Sequence, residues 1–243
     1  MPSLPSAPLL SIIVPVFNEA ATVTQVIARL QAIDLPLARE IVVVNDGSSD
    51  GTREALERLG SQPAVSMLHL ERNAGKGSAI RLGLSRSNGS IVAIQDADLE
   101  LDPQQLAMLV RPILDGRTRV VYGSRFLERT PDAPWLTVLA NRVLTFATNV
   151  IYGGRLTDME TCYKVMATDV ARSLVLESDR FDIEPEITAK LLRAGHTILE
   201  LPVTFEPRSR SAGKKIRWRD GVRALWVLVK YRAVSRASIV RGG

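Results

Sequence analysis

Short apolar runs alternate with amphipathic segments through the first half of the chain. The apolar runs cover residues 11–16, 40–45, 66–70 and 90–95. The segments with helical spacing cover residues 20–33, 52–59 and 76–87. Continuous apolar strands that alternate with helices are typical of a mostly parallel sheet with helices on both faces. The pattern therefore predicts an α/β fold with right-handed crossovers and a ligand site at the carboxyl ends of the strands.

The second half of the chain is less regular. Its pattern predicts a strand at 120–122, a long helix at 134–152, a helix at 183–194 and a strand at 197–203. No linker rich in Gly, Ser or Pro divides the chain, and no internal repeat is evident. We therefore expect one domain over residues 1–207, followed by a basic C-terminal segment over residues 208–243.

Charge is distributed unevenly along the chain. The net charge is +5, but residues 208–243 contain eleven basic side chains and one acidic side chain. The rest of the chain carries 20 basic and 25 acidic side chains, so a basic segment follows an acidic body. This asymmetry indicates an anionic partner, either nucleic acid, anionic lipid or a phosphorylated substrate, and a solvated basic tail is the alternative.

Aromatic and aliphatic residues recur at roughly helical spacing within the basic segment. They are Val222, Leu225, Val229 and the aromatic residues Trp218, Trp226 and Tyr231. Such a stripe is by default core packing, although the basic residues beside it suit a peripheral amphipathic helix at a membrane surface.

Composition narrows the class of protein. Hydrophobic residues make up 46% of 243 residues, which excludes a disordered chain. A single cysteine excludes an internal disulfide, and two histidines make a His-rich zinc site improbable. No signal peptide and no transmembrane run are expected, so the sequence predicts a cytoplasmic protein, either soluble or peripheral at a membrane.

Acidic and polar side chains follow three of the predicted strands. The segments are 15–19 (PVFNE), 44–52 (VNDGSSDGT) and 96–100 (DADLE). Two carboxylates two residues apart repel each other, and a hard divalent cation removes that repulsion. A lone Asp-x-Asp is commonly a solvated turn, but three such loops at one sheet edge favour a Mg²⁺ or Mn²⁺ site.

A glycine-rich segment over residues 75–78 (GKGS) is similar to part of a phosphate-binding loop. The earlier glycine that such a loop requires is absent, because position 70 is Leu70. Close approach of this backbone to a nucleotide remains an open alternative.

In order and spacing, these motifs resemble those of the inverting family 2 glycosyltransferases with a GT-A fold. The resemblance includes residues 71–84 (ERNAGKGSAIRLGL) and 122–126 (YGSRF), and continues through 157–158, 200–203 and 205–208 to the basic run at 213–215. It is strongest to the branch of polyprenyl-phosphate hexose synthases, which includes dolichyl-phosphate mannose and glucose synthases. It covers roughly residues 10 to 220.

The resemblance implies roles on the donor side. The nucleoside pocket would be lined by Pro15, Phe17, Asn18 and Glu19, with Asp46 at the base or ribose. Near the ribose and the metal would lie Asp96 and Ala97. The metal ligands would be Asp96, Asp98 and Glu100. Glu100 stands where the family often has Gln. Glu also offers an oxygen ligand to the metal, and it adds negative charge to the site.

The resemblance also implies roles at the phosphates. Arg125 would meet the donor sugar or the acceptor phosphate. Arg208 would bind phosphate as a planar fork, and either Lys214 or Lys215 as a point charge.

The resulting hypothesis is a metal-dependent hexosyltransferase that inverts the anomeric centre. It would move a hexose from GDP-mannose or UDP-glucose to a polyprenyl phosphate, at the cytoplasmic face of a membrane. Membrane contact would rest on the basic segment or on a separate membrane subunit, and nucleic acid is not an expected partner. Two alternatives stay open: a soluble transferase acting on a saccharide or small-molecule hydroxyl, and a non-catalytic nucleotide-sugar or nucleic-acid binding module.

Asp158 separates the two enzyme hypotheses. In family members that glycosylate a hydroxyl, an acidic residue near this part of the chain commonly acts as general base, whereas a phosphate acceptor is already ionised at neutral pH. With a phosphate acceptor, Asp158 would act by positioning. A third alternative is that Asp158 caps a segment over residues 159–165.

Overall fold

A central sheet organises the protein. The computed structural model describes residues 4–5, 7–207 and 218–240, with only the backbone of Trp218. The strands of the described residues are β1 Leu9–Val16, β2 Ala38–Asn45, β3 Val65–His69, β4 Ile91–Ile94, β5 Val120–Ser124, β6 Lys164–Ala167 and β7 Leu199–Pro202. They form one sheet in the order β3-β2-β1-β4-β6-β5-β7.

Strand direction brings the ends of nearly all strands to one edge. β1 pairs in parallel with β2 and β4, and β2 pairs in parallel with β3. β6 is antiparallel to both β4 and β5, which makes β5 parallel to β4, and β7 is parallel to β5. Six carboxyl ends and the start of β6 therefore lie at the same edge, where the sequence placed the ligand site.

Helices cover both faces of the sheet. The helices of the described residues are α1 Val23–Ala32, α2 Thr52–Leu59, α3 Lys76–Arg86, α4 Leu106–Leu114, α5 Trp135–Tyr152, α6 Thr168–Ser173, α7 Ile183–Ala194 and α8 Trp218–Ala233. Alternate residues of β2 separate the two faces. Ile41 and Val43 pack in one core cluster with α1 and α2, and Val42 and Val44 pack with Ala79 of α3. The predicted fold class is confirmed.

Three elements were missing from the sequence prediction, namely helices α4 and α6 and strand β6. No helix was predicted over α4, whose sequence LAMLVRPIL is nearly all apolar and contains Pro112, so it shows no polar face. The four-residue strand β6 was also missed, and the hypothesis that Asp158 caps a segment over residues 159–165 is wrong. No helix follows Asp158 there: β6 begins at Lys164, and its antiparallel pairing with β4 and β5 sets its position.

A second core cluster joins three helices outside the sheet. It contains Leu144 of α5, Ala189 of α7 and the α8 residues Ala224, Val227, Leu228 and Tyr231. Helix α8 therefore packs against the same body that carries the sheet. Within the described part of the chain, no helix is both long and apolar enough to cross a bilayer.

Candidate active site

Hydrogen bonds join the loops that follow β1 and β2. Asn18 adopts a left-handed conformation (φ 54°), which an Asn side chain tolerates better than most. Its N–H donates to Ser48 Oγ at 2.9 Å, and its Oδ1 accepts from the N–H of Ser49 at 2.8 Å. The N–H of Glu19 donates to Thr52 Oγ1 at 2.9 Å. The Pro15–Glu19 segment is thus held in one shape against the β2 loop.

The loop after β4 is connected to the same frame. The hydroxyl of Thr22 lies 3.0 Å from Glu19 Oε2 and 2.7 Å from the carbonyl oxygen of Ala97. Glu19 and Ala97 are both buried, and Phe17 is half-buried. The structure therefore brings together the three loops from which the sequence predicted a donor site.

Asp46 is buried and holds the segment that leads into α3. Its Oδ1 accepts from the N–H of Ala74 at 2.7 Å, and its Oδ2 accepts from the N–H of Gly75 at 2.8 Å and from Asn73 Nδ2 at 2.9 Å. Burial raises the pKa of Asp46, and the two backbone hydrogen bonds, from Ala74 and Gly75, act in the opposite direction. If Asp46 contacts a base or ribose as predicted, it has to do so with a carboxylate that already accepts hydrogen bonds from this loop.

The glycines of the GKGS segment are in contact with the backbone of another loop. A Cβ atom at Gly75 would overlap the carbonyl of Asp179, and one at Gly77 would overlap the carbonyl of Ser178. The N–H of Ser78 also donates to the carbonyl of Asp179 at 3.1 Å. These glycines therefore permit close packing of protein backbone, and that face of the segment is not open to a phosphate.

Lys76, the residue between these glycines, forms a buried ionic bridge that sequence reasoning missed. Its ammonium lies 2.8 Å from Asp96 Oδ1, 3.1 Å from Asp96 Oδ2 and 2.9 Å from Glu184 Oε1 of α7. Glu184 Oε2 in turn lies 2.5 Å from the ammonium of Lys164 in β6. Burial opposes the ionisation of both Lys76 and Asp96, but the attraction between their opposite charges outweighs the effect of burial. As a result the pKa of Lys76 is raised and the pKa of Asp96 is lowered.

The predicted metal ligands lie directly after β4. The side chain of Asp96 is 28% exposed beside Lys76, and Asp98 Oδ1 accepts from the N–H of Glu100 at 3.2 Å. Mg²⁺ commonly binds one or two protein carboxylates together with substrate phosphates, and two carboxylates at a sheet edge fit that requirement. In the described ranges, no three His, Cys, Asp or Glu side chains are placed to hold a metal ion. The set Asp96, Asp98 and Glu100 stays a prediction.

Arg125 at the end of β5 is fixed by Asp158. The guanidinium donates from Nε to Asp158 Oδ2 at 2.7 Å and from Nη2 to Oδ1 at 2.8 Å, and the Arg125 N–H donates to Oδ2 at 3.0 Å. The ring of Phe205 lies 5.3 Å from the Arg125 guanidinium carbon. No hydrogen bond among the described residues uses Nη1, and the side chain is 18% exposed. A bidentate pair of this kind orients a cation while leaving it a donor for an anion.

Asp158 itself has no exposed surface and no acceptor position left. Besides the three bonds from Arg125, its Oδ1 accepts from Asn141 Nδ2 of α5 at 2.9 Å. The N–H of Asp158 donates to Glu200 Oε1 of β7 at 3.0 Å. Burial opposes ionisation, but Arg125 and these hydrogen bonds outweigh it and lower the pKa of Asp158. A buried, fully bonded carboxylate with a lowered pKa is suited to positioning and poorly suited to accepting a proton.

Glu160, two residues further on, has the opposite character and was missed by sequence reasoning. Its Oε1 is buried without a hydrogen-bond partner among the described residues. Burial raises the pKa of Glu160 to about 7; Lys164 and Arg125 act to lower it, and Glu184 and Asp158 act to raise it. No motif in the sequence identified it, because its state depends on neighbours from β5, β6 and α7.

The basic residues Arg208, Lys214 and Lys215, predicted to bind phosphate, lie outside the described residues. Their roles stay predictions.

We expect Lys76→Met to lower the free energy of unfolding by about 3 kcal/mol, because it leaves Asp96 and Glu184 without their shared cation. Arg53→Met is a suitable control, since it removes one side chain of the exposed pair Arg53–Glu57 and should change the same quantity by less than about 1 kcal/mol. Urea unfolding of the three proteins measures both effects. Equal, small changes in the two variants would contradict the buried bridge.

The pKa of Glu160 predicts a pH-dependent effect of Glu160→Gln on stability. The ordinary value for Glu is 4.5, so the folded wild type retains a proton up to about pH 7 that the unfolded chain has already released. Wild type therefore loses stability relative to the Gln variant between about pH 4.5 and 7, and the difference stays constant above that range. Urea unfolding of both proteins from pH 5 to 9 measures it, and a pH-independent difference would show that Glu160 ionises normally.

The comparisons with known proteins agree with this architecture. The family model described as "Glycosyl transferase family 2" matches residues 11–175. An undecaprenyl-phosphate mannosyltransferase from Micrococcus luteus is 29% identical over 215 residues, which cover 83% of this chain and 85% of the relative. An undecaprenyl-phosphate 4-deoxy-4-formamido-L-arabinose transferase from Pseudomonas aeruginosa is 38% identical over 150 residues, which cover 58% of this chain and 43% of the relative.

A solved structure shares the fold. Glucosyl-3-phosphoglycerate synthase from Mycobacterium tuberculosis, in complex with Mn²⁺, UDP and phosphoglyceric acid, superposes with a TM-score of 0.74 at 20% identity. The match covers 94% of this chain and 80% of that one, and it identifies the fold as GT-A. The chain spans between 39% and 65% of the length of three of the curated relatives it matches. Because the family model matches more than half of its residues, the chain belongs to glycosyl transferase family 2.

Proposed function

We propose that this protein transfers a sugar from a nucleotide diphosphate donor to a polyprenyl phosphate, with inversion. Family membership supports glycosyl transfer, and two relatives that are named as undecaprenyl-phosphate transferases support the acceptor class. GDP-mannose and UDP-glucose are the donors that we propose to test first.

The observation that carries the acceptor assignment is the Arg125–Asp158 pair. Asp158 fixes the guanidinium with two side-chain hydrogen bonds and has no lone pair left to take a proton. A polyprenyl phosphate brings a nucleophilic oxygen that is already ionised, so the protein has to orient it and has no proton to remove. Arg125 is a donor of the right charge and geometry for that task.

On the donor side, the frame of Pro15–Glu19 and Asp46 would hold the nucleoside. Asp96 and Asp98 would hold Mg²⁺ or Mn²⁺ against the diphosphate. The metal ion, when bound, would stabilise the negative charge that develops on the leaving diphosphate. Lys76 would fix the Asp96 carboxylate, and Arg208 with Lys214 would add positive charge at the phosphates.

Glu160 favours a second candidate, a transferase acting on a hydroxyl acceptor. A carboxyl group with a pKa of about 7 and an oxygen without a partner has the properties of a general base near neutral pH. It lies within electrostatic range of Arg125. The phosphate-acceptor proposal assigns it no chemical step, so Glu160 distinguishes the two functions. A non-catalytic nucleotide-sugar or nucleic-acid binding module is the third possibility, and absence of transfer with every donor would favour it.

The test is a transfer assay with the full chain, GDP-mannose or UDP-glucose, a short-chain polyprenyl phosphate in detergent, and Mg²⁺ or Mn²⁺. We expect lipid-linked sugar to form with one donor, and Asp98→Ala to lower kcat by about 10²-fold or more while the protein stays folded. Asp115→Ala, at an exposed carboxylate after α4, is the matched control and should keep full activity. Full activity of Asp98→Ala, or in excess chelator, would exclude the proposed metal mechanism.

The same assay with Glu160→Gln decides between the acceptors. For a phosphate acceptor we expect the variant to keep its rate within about tenfold, with no change in pH profile between pH 6 and 9. General base catalysis typically contributes about 10² to 10⁴ in rate. A loss of that size with unchanged donor affinity, together with the disappearance of a rate dependence near pH 7, would favour the hydroxyl acceptor.

A further inference from the structure

The outward face of α5 is apolar along its whole length. Six large hydrophobic side chains there are 49% to 71% exposed: Trp135, Leu136, Leu139, Val143, Phe146 and Val150. At 3.6 residues per turn, these positions fall within an arc of about 100°. The buried positions of the same helix, Asn141, Leu144, Thr145 and Thr148, lie on the opposite side. The helix therefore presents one face to the protein interior and a second, apolar face to its surroundings.

Helix α8 repeats this arrangement beside α5. Val222, Leu225, Trp226 and Val229 are 38% to 59% exposed and also fall within an arc of about 100°. Its buried residues Ala224, Val227, Leu228 and Tyr231 point to the core cluster that α5 shares. Of the five stripe residues whose side chains the structure describes, four are exposed, contrary to the expected core packing, and Tyr231 is buried. We call the ten exposed side chains of α5 and α8 the apolar strip.

An apolar surface of this extent is unusual on a folded protein and marks a contact site. The hydroxyl of Tyr152, at the end of α5, donates to the carbonyl of Leu228 in α8 at 2.5 Å, so the two helices are in direct contact. The two exposed apolar faces therefore belong to neighbouring helices that share one core cluster, and we treat them together as one surface.

Charge indicates what the strip contacts. The two helices carry five basic side chains, namely Arg142, Arg219, Arg223, Lys230 and Arg232, and one acidic side chain, Asp220. Arg142 and Arg232 are exposed beside the strip, and neither side chain forms an ion pair with another described residue. The strip also contains Trp135 and Trp226, and tryptophan is enriched at the interface between lipid and water. A second copy of the chain fits less well, because a twofold contact would bring basic margins against each other.

We propose that the apolar strip is a docking surface for an anionic lipid bilayer. Apolar side chains would enter the boundary between headgroups and acyl chains, and the arginines at the margins would contact anionic headgroups. This surface extends the proposed function, since a polyprenyl phosphate is anchored in a membrane. It differs from the C-terminal basic segment predicted by the sequence, because most of the strip belongs to α5.

The strip also lies close to the candidate site. Asn141, on the inner face of α5, donates to Asp158, which holds Arg125. One helix, about 10 Å in diameter, therefore separates the docking surface from the anion site. The guanidinium of Arg142 lies 6.0 Å from the ring of Phe126, the residue after Arg125, and Leu127 is exposed. A lipid phosphate at the bilayer surface would thus have a short path to Arg125.

Sedimentation with vesicles tests the proposal on the full chain. We expect binding to vesicles of phosphatidylglycerol and phosphatidylcholine, weaker binding to phosphatidylcholine alone, and a decrease with added salt. The double variant Phe146→Glu/Val229→Glu should bind at least about tenfold more weakly, because two exposed apolar groups are replaced by charges. Trp135→Gln at the other end of the strip should weaken binding in the same direction. Met108→Glu, at an exposed apolar position of α4, is the matched control and should bind like wild type.

Several results would overturn the docking surface. They are absence of vesicle binding, undiminished binding of the strip variants with normal circular dichroism, or equal loss in Met108→Glu. A dimer that the strip substitutions dissociate, without vesicle binding, would assign the strip to a second copy of the chain. The transfer assay in detergent is independent of docking, so strip variants should keep their activity there. If the wild-type protein binds vesicles but transfers no sugar, the proposed function is refuted and the docking surface is not.

Discussion

One buried carboxylate determines the arrangement around the end of β5. Asp158 has no exposed surface, and burying an unpaired carboxylate is strongly unfavourable. The structure satisfies it with four hydrogen bonds, three from Arg125 and one from Asn141. Its backbone N–H is in turn bound by Glu200 of β7. Strand β5, helix α5 and strand β7 are therefore positioned by the same group, and Arg125 is held rigid as a consequence.

A second set of buried charges links this region to the donor side. Asp96, Lys76, Glu184 and Lys164 alternate in sign and connect the end of β4, the start of α3, helix α7 and strand β6. Their formal charges cancel, and the raised pKa of Glu160 means that this carboxyl adds no full negative charge at neutral pH. The two halves of the candidate site are thus tied to each other by ion pairs that lie beneath them. Such a frame is preorganised, and preorganised charge is what stabilises a developing anion in a transition state.

The sequence predicted the parts of the structure that depend on local pattern. Helices α2 and α7 begin and end where the pattern placed them, and the loops after β1, β2 and β4 meet as expected. Contacts between residues that are distant in the sequence were not predictable. Arg125 and Asp158 were both selected, but their mutual bond depends on β6 running antiparallel to β5, and β6 was not predicted. The periodicity of α8 grouped four apolar residues that do share a face, but it also included Tyr231, which is buried on the other side. Periodicity does not reveal whether protein or solvent covers a face.

A double-mutant cycle in kcat/KM for the polyprenyl phosphate acceptor tests most directly whether Asp158 acts through Arg125. The cycle compares wild type, Asp158→Asn, Arg125→Met and the double variant, each checked for folding by circular dichroism. If Asp158 only positions Arg125, Asp158→Asn should lower kcat/KM about tenfold or more in wild type and change it little once Arg125 is Met. The same fold-loss in both backgrounds, which an independent general base would give, would contradict the account.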